Sequence, residues 1–175
     1  MIYLDYQATT PLAPEAREAM LRWLGGPGEG GFGNPHSAHR MGREARAAIE
    51  VAREQVAALF PASGRVIFTS GATEALNLAI RGSGRGGTAA VSAIEHSAVG
   101  DTARAVGPVH VIPANAEGLT DASSELPDDV RLVAVMQVNN EIGTVQPVAE
   151  WARRAREKGA PFLCDAVQSY GRFEL

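Results

Sequence analysis

The chain has 175 residues, 45% of them hydrophobic and 21% charged, with a net charge of -4 at pH 7. That length and composition suit a globular domain with a real core and exclude a disordered or fibrous chain, and 16 Lys and Arg against 20 Asp and Glu leave no basic surplus for nucleic acid. Cys164 is the only cysteine, which excludes an internal disulfide and a multi-cysteine metal site. No apolar run reaches the roughly 20 residues that span a bilayer, and MIYLDYQATTPLAP lacks the basic start and apolar core of a signal peptide, so a soluble cytoplasmic protein is expected.

After an extended arm punctuated by proline, Pro14 to Leu24 reads as a helix with proline in its first turn and Gly25-Gly26 as its stop. The loop GPGEGGFGNP follows. A long helix is expected from about Ser37 to Phe60, with Ala48, Ile49, Val56 and Leu59 at helical spacing and Pro61 ending it. From there the pattern alternates. Strand RVIFTS precedes a helix from Thr73; strand TAAVSA precedes a helix after His96; strand VHVIP precedes a weak helix near Asp121 to Leu126. Strand RLVAVMQV, a helix from Val148 to Lys158 and strand PFLCDA complete the series. Strands that alternate with helices pair in parallel, and short continuous apolar strands are those covered by helices on both faces. No internal repeat or long linker divides the chain.

Gly82, Gly84 and Gly87 spell GxGxxG, but they follow a helix and precede a strand. The dinucleotide fingerprint needs the opposite order, so these glycines read as an ordinary αβ connection. Cys164 lies inside the apolar run PFLCDA and reads as an inert, buried thiol.

In an open parallel sheet, ligands bind beyond the carboxyl ends of the strands. Polar groups collect at those ends here: Gly71, Ala72 and Thr73 after RVIFTS, Glu95 and His96 after TAAVSA, Asn139, Asn140 and Glu141 after RLVAVMQV, Asp165 and Gln168 after PFLCDA. Each has a plainer reading. Thr73 or His96 could cap a helix, the Asn pair could make an Asx turn, and Asp165 could pair with an arginine. Together they offer a helix N-terminus for a phosphate, an imidazole, an amide and a carboxylate. That is the set pyridoxal phosphate requires, because a carboxylate at the ring nitrogen keeps it protonated.

The segments YLDYQATTP, FGNPHSAH, FTSGATEALNLAI, EHSAV, VNNEIGTVQP and DAVQSYG, in this order from Tyr3 to Gly171, resemble the N-terminal portion of PLP-dependent cysteine desulfurases serving iron–sulfur cluster assembly. The resemblance implies an α/β fold, the PLP-dependent transferase large domain of fold type I, three-layer αβα with a mostly parallel sheet and incomplete here. Residues 1–13 would be an arm that belongs with the small domain and 14–175 the N-terminal part of the PLP-binding large domain. By the same resemblance Ala72 and Thr73 would hold the cofactor phosphate, and His96 would stack on the ring and assist proton transfer. Asn140 and Gln168 would contact the phenolic oxygen, and Asp165 would pair with the ring nitrogen. The implied reaction takes sulfur from L-cysteine to give alanine and a persulfide, in a homodimer that passes sulfur to a scaffold or acceptor protein.

Two parts of that chemistry have no counterpart in the 175 residues. The sole lysine, Lys158, closes a helix in RAREKGAP, where it reads as a helix stop rather than the cofactor lysine, and Cys164 sits in a strand rather than on a mobile loop. The family fold also implies that RVIFTS reaches its neighbours only through strands not contained in the chain. The expectation is therefore the front part of a longer protein, or a chain that folds with a complementary one. Two alternatives stay open: a non-catalytic chain that binds PLP, phosphate or a partner, and another PLP enzyme such as a selenocysteine lyase or aminotransferase.

Overall fold

The structure, a computed structural model, describes residues 2–60, 64–84 and 86–173. Two compact units meet in sequence between Phe68 and Thr69.

In the first unit, helix α1 spans Pro14–Leu21 with Pro14 in its first turn. It stops three residues short of the expected Leu24 because the last amides tighten: Trp23 N donates to Met20 O and Leu24 N to Leu21 O. Helix α2 spans Arg40–Ala57, and His39 caps it through Nδ1, which accepts from Gly42 N at 3.2 Å. The helix starts later than the expected Ser37 because Asn34 holds the preceding residues in a turn, taking His36 N on Oδ1 and Ser37 N on its carbonyl. Gly42 is required there: a Cβ would stand 2.3 Å from Ser37 O. The expected stop at Pro61 lies outside the described residues.

Residues 65–70, expected as a strand, pair with no strand among the described residues. Arg53 of α2 donates through Nη1 to Val66 O, and its guanidinium lies 5.0 Å from the Phe68 ring centroid. Ile67 remains 66% exposed, so the apolar pattern is present without the neighbour that turns such a run into a sheet member.

The second unit follows the alternating pattern. Its elements are α3 (Ala72–Gly82), β1 (Thr88–Ser92), α4 (Ser97–Val106), β2 (Val109–Ile112), β3 (Val130–Ala134), α5 (Val148–Glu157) and β4 (Phe162–Leu163). The four strands form a parallel sheet in the order β2-β1-β3-β4. Strand alternation sorts their side chains into two cores. Ala89, Val91, Leu132 and Ala134 pack with Leu76 and Ile80 of α3 and Val99 and Ala103 of α4. Ala90, Val133 and Val135 face the other way and pack with Trp151 and Ala155 of α5. Helices cover both faces, giving the three-layer αβα arrangement.

The weak helix expected near Asp121 to Leu126 is instead a run of turns. Asp121 takes Ser123 N on Oδ1 at 2.8 Å and the Ser123 hydroxyl on Oδ2 at 2.7 Å, so its side chain captures the amide hydrogen bonding a helix would need. Gly82 closes α3, and Gly84 and Gly87 lie in the connection that leads into β1. At Gly87, φ is +73°, and a Cβ would lie 2.4 Å from Asp129 O. The regular part of the strand expected over RLVAVMQV ends at Ala134, but its edge continues to bond: Val135 N donates to Leu163 O and Gln137 N to Asp165 O.

Candidate functional site

Because α3 ends in the connection that enters β1, its N-terminus lies toward the end of the sheet where the strands finish. Helix α4 starts at that same end, and α3 packs on α4. The residues singled out at the strand ends therefore share one side of the second unit.

At the start of α3, Gly71 is extended with φ 164°, and Ala72 and Thr73 are exposed in the first turn. Their amides donate to nothing among the described residues, as first-turn amides do unless a cap or ligand takes them. Glu74 curls back on the turn: its Oε2 accepts from Ser70 N and Ser70 Oγ, both at 2.6 Å. The Ser70 hydroxyl and then its amide hold the Glu74 carboxyl below the usual carboxylate range. The turn thus fixes its own geometry through Glu74 while Ala72 and Thr73 point their donors at solvent, with the positive helix end behind them.

His96 is both a candidate and a cap. It stands at the N-cap of α4, where Nδ1 accepts from Ala98 N at 3.1 Å. That bond makes Nδ1 the acceptor, so the neutral ring carries its proton on Nε2, and the ring is exposed. The plainer capping reading holds here, and it orients the imidazole rather than consuming it.

After β3, the two asparagines divide their work. Asn139 is buried and structural: its Nδ2 donates to Ile94 O at 2.7 Å, and its Oδ1 accepts from Glu141 N at 2.8 Å and Ile142 N at 2.9 Å. Asn140 is half-buried, and its Nδ2 donates to Glu141 Oε1 at 2.8 Å. The Asx turn read from the sequence is present and belongs to Asn139.

Beyond β4, Asp165 is only 7% exposed. Its Oδ1 accepts from Val167 N at 3.0 Å, an Asx turn that aims the carboxyl, while Oδ2 takes no hydrogen bond among the described residues. Its carbonyl accepts from Gln137 N at 3.0 Å, which ties this loop to the one bearing Asn140. Gln168 is half-buried in the turn that follows.

Glu95 was noted at this edge without a role and proves central to it. Its Oε1 accepts from Ser92 Oγ at 2.7 Å and from Met136 N at 2.6 Å, bridging the ends of β1 and β3. Burial pushes its carboxyl up to about 7 against the pull of those two bonds, and the charge of Asp165 adds to the rise. A carboxylate before a histidine at a strand end was the available signal, but a partner 41 residues away could not be read from it. Cys164, half-buried next to Asp165, has its thiol pushed up to about 11 by burial first and then by the charges of Asp165 and Glu95.

The donor set fits pyridoxal phosphate: first-turn amides for a phosphate, a buried carboxyl with one oxygen unbonded among the described residues for a protonated ring nitrogen, and an oriented imidazole. Lys158 is not part of it. It stands at the C-cap of α5, and Nζ donates to Asp128 Oδ1 at 2.8 Å, at the sheet edge where β3 and β4 begin. Among the described residues no three His, Cys, Asp or Glu side chains group as a metal site, and no helix is long and apolar enough to cross a membrane.

Residues 2–175 match the aminotransferase class-V family. The chain is 41% identical over 188 residues to a cysteine desulfurase of Photorhabdus laumondii, covering 99% of this chain and 46% of that protein. It is 40% identical over 190 residues to a mitosomal cysteine desulfurase of Trachipleistophora hominis, covering 99% of this chain and 42% of that one. Among solved structures, a NifS-like protein superposes with a TM-score of 0.89 at 33% identity, over 99% of this chain and 51% of the other. SspA in complex with cysteine superposes with a TM-score of 0.88 at 34% identity, over 99% and 52%. The chain thus spans about half the length of the relatives it matches. A parallel three-layer sheet with its polar groups at the strand ends, and a family match that runs from residue 2 to residue 175, place it together: the chain belongs to the aminotransferase class-V family.

Proposed function

We propose that this chain supplies the phosphate, ring-nitrogen and ring-face contacts of a PLP-dependent cysteine desulfurase site, which takes sulfur from L-cysteine and leaves alanine. The observation that carries the reading is Asp165, a buried carboxyl at a strand end with one oxygen fixed by Val167 N and the other taking no hydrogen bond among the described residues. A group in that state suits a permanent N–H donor on a ligand. A cysteine-bound structural relative supports the substrate.

When bound, pyridoxal phosphate supplies a protonated aromatic ring that withdraws electrons from bonds at an attached amino acid's α-carbon. The chain's own residues would hold and orient it. Ala72 and Thr73 would bind the phosphate through first-turn amides and the Thr73 hydroxyl. Asp165 would hold the proton on the ring nitrogen through Oδ2. His96, its Nδ1 committed to Ala98 N, would lie on the ring face with Nε2 available to carry a proton. Asn140 and Gln168 would serve the phenolic oxygen; for Asn140 this requires Nδ2 to turn from Glu141 Oε1. The lysine and sulfur-accepting thiol of the reaction are assigned to residues other than Lys158 and Cys164. In this reading residues 1–13 go with a small domain, the remainder with the large one, and the working unit is a cytoplasmic homodimer that hands sulfur to an acceptor protein.

The test is complementation. The chain is refolded with the C-terminal half of a desulfurase relative and PLP, and alanine from L-cysteine is measured. The proposal expects alanine and, with reductant, an equal amount of sulfide. A co-folded pair that makes no alanine, or that transfers the amino group instead, would overturn it.

A further inference from the structure

The edge that carries His96, Asn140 and Asp165 is assembled from three separate loops, and Glu95 lies where they meet. Its Oε1 takes the Ser92 hydroxyl, at the last residue of β1 before the turn that bears His96, and the Met136 amide, which leads into the asparagines. Asn139 Nδ2 closes the same junction from the other side by donating to Ile94 O. Gln137 N, next along, donates to Asp165 O. A continuous series of hydrogen bonds therefore runs from the β1 loop through Glu95 to Met136 and on to the β4 loop. Glu95 ties the two loops from the β1 side through one oxygen, and Asn139 ties them from the β3 side through Nδ2.

We propose that Glu95 is a positioning residue: by holding Ser92 and Met136 on one carboxyl oxygen, it sets the spacing between His96 and the Asn140 and Asp165 loops. Its action is on the loops and not on the cofactor, and it rests on the PLP reading only for its consequence. Its raised pKa accords with the role. Burial pushes the Glu95 carboxyl up to about 7, so it holds its proton more readily than an exposed carboxyl does. A neutral carboxyl keeps the carbonyl-like oxygen that accepts both bonds, so glutamine, which has the same oxygen, should replace it.

The test compares wild type with Glu95→Gln, Glu95→Ala and Ser92→Ala by amide hydrogen exchange without PLP, and then by PLP binding. The Met136 amide should exchange about tenfold faster in Glu95→Ala, with the Val135 and Ala93 amides nearby unchanged, while Glu95→Gln stays close to wild type. Ser92→Ala, which leaves the Met136 bond intact, provides a milder variant should Glu95→Ala fold poorly; it should speed Met136 exchange by a smaller factor. Binding of PLP should weaken about tenfold in Glu95→Ala and be retained in Glu95→Gln. Met136 exchange that is unchanged in Glu95→Ala, an equal acceleration of every sheet amide, or a glutamine variant that behaves like alanine would overturn the proposal. If wild type does not bind PLP, the functional reading fails, whereas the exchange data still decide whether Glu95 spaces the loops.

Discussion

Lys158 Nζ donates to Asp128 Oδ1 at 2.8 Å, at the edge where β3 and β4 begin, whereas His96 and Asp165 lie where β1 and β4 finish. The sole lysine and the candidate cofactor residues thus occupy opposite edges of one sheet.

From that separation follows the behaviour of Lys158→Ala. It should bind PLP as wild type does, and borohydride treatment of the wild-type chain with PLP, followed by peptide mapping, should find no cofactor on Lys158. The ion pair is largely solvent-facing, with the Asp128 carboxyl fully exposed, so its loss should leave the melting temperature nearly unchanged.

Glu95 makes stability depend on pH in a direction opposite to an ordinary paired carboxylate. Its folded pKa of about 7 lies above the usual 4.5, so the folded chain binds this proton more tightly than the unfolded one. Its contribution is complete below the unfolded value and is lost as pH rises through the folded one. Between these values wild type should lose up to about 3 kcal/mol relative to Glu95→Gln, whose side chain does not titrate. Urea unfolding at pH 5 and pH 8 measures the difference.

Cys164 should be a poor nucleophile. With its thiol pushed up to about 11, alkylation by iodoacetamide at pH 8 should be slower by about a hundredfold in the folded chain than in urea. Mass spectrometry of the alanine-releasing complemented enzyme should find the persulfide on a cysteine other than Cys164.

Behind α5 a buried polar network should be worth more than its size suggests. Gln146 Oε1 accepts from Thr120 N at 2.9 Å and from Thr120 Oγ1 at 3.0 Å, its Nε2 donates to Gly118 O at 2.8 Å, and Trp151 Nε1 donates to Thr120 Oγ1 at 2.9 Å. Gln146→Ala strands Thr120 N and should cost about 2–3 kcal/mol in urea unfolding. Trp151→Ala removes a fully buried ring and should cost about 3–5 kcal/mol.

The second unit was legible because its signals are local or periodic. Continuous apolar strands alternating with helices announced a parallel sheet, and the strand faces then sort as Ala89 and Val91 against Ala90. The segment RVIFTS carries the same pattern and forms no strand, because strand formation depends on a neighbour that apolarity alone does not supply. Asp121 to Leu126 failed for a different reason: the Asp121 carboxylate outbid the helix for Ser123. At the candidate site, motif residues such as Asp165 and His96 could be named from sequence. What Glu95 and Gln146 do could not, because each works through partners 26 to 41 residues away.

The most direct measurement of the central claim is equilibrium dialysis of PLP against the wild-type chain and Asp165→Asn, with inorganic phosphate as competitor. Asparagine is close to the same shape but leaves the ring nitrogen without a charged partner. The account predicts one saturable PLP per chain, displaced by phosphate and weakened about tenfold or more by Asp165→Asn. Unsaturable uptake, or equal affinity in the two proteins, would contradict it.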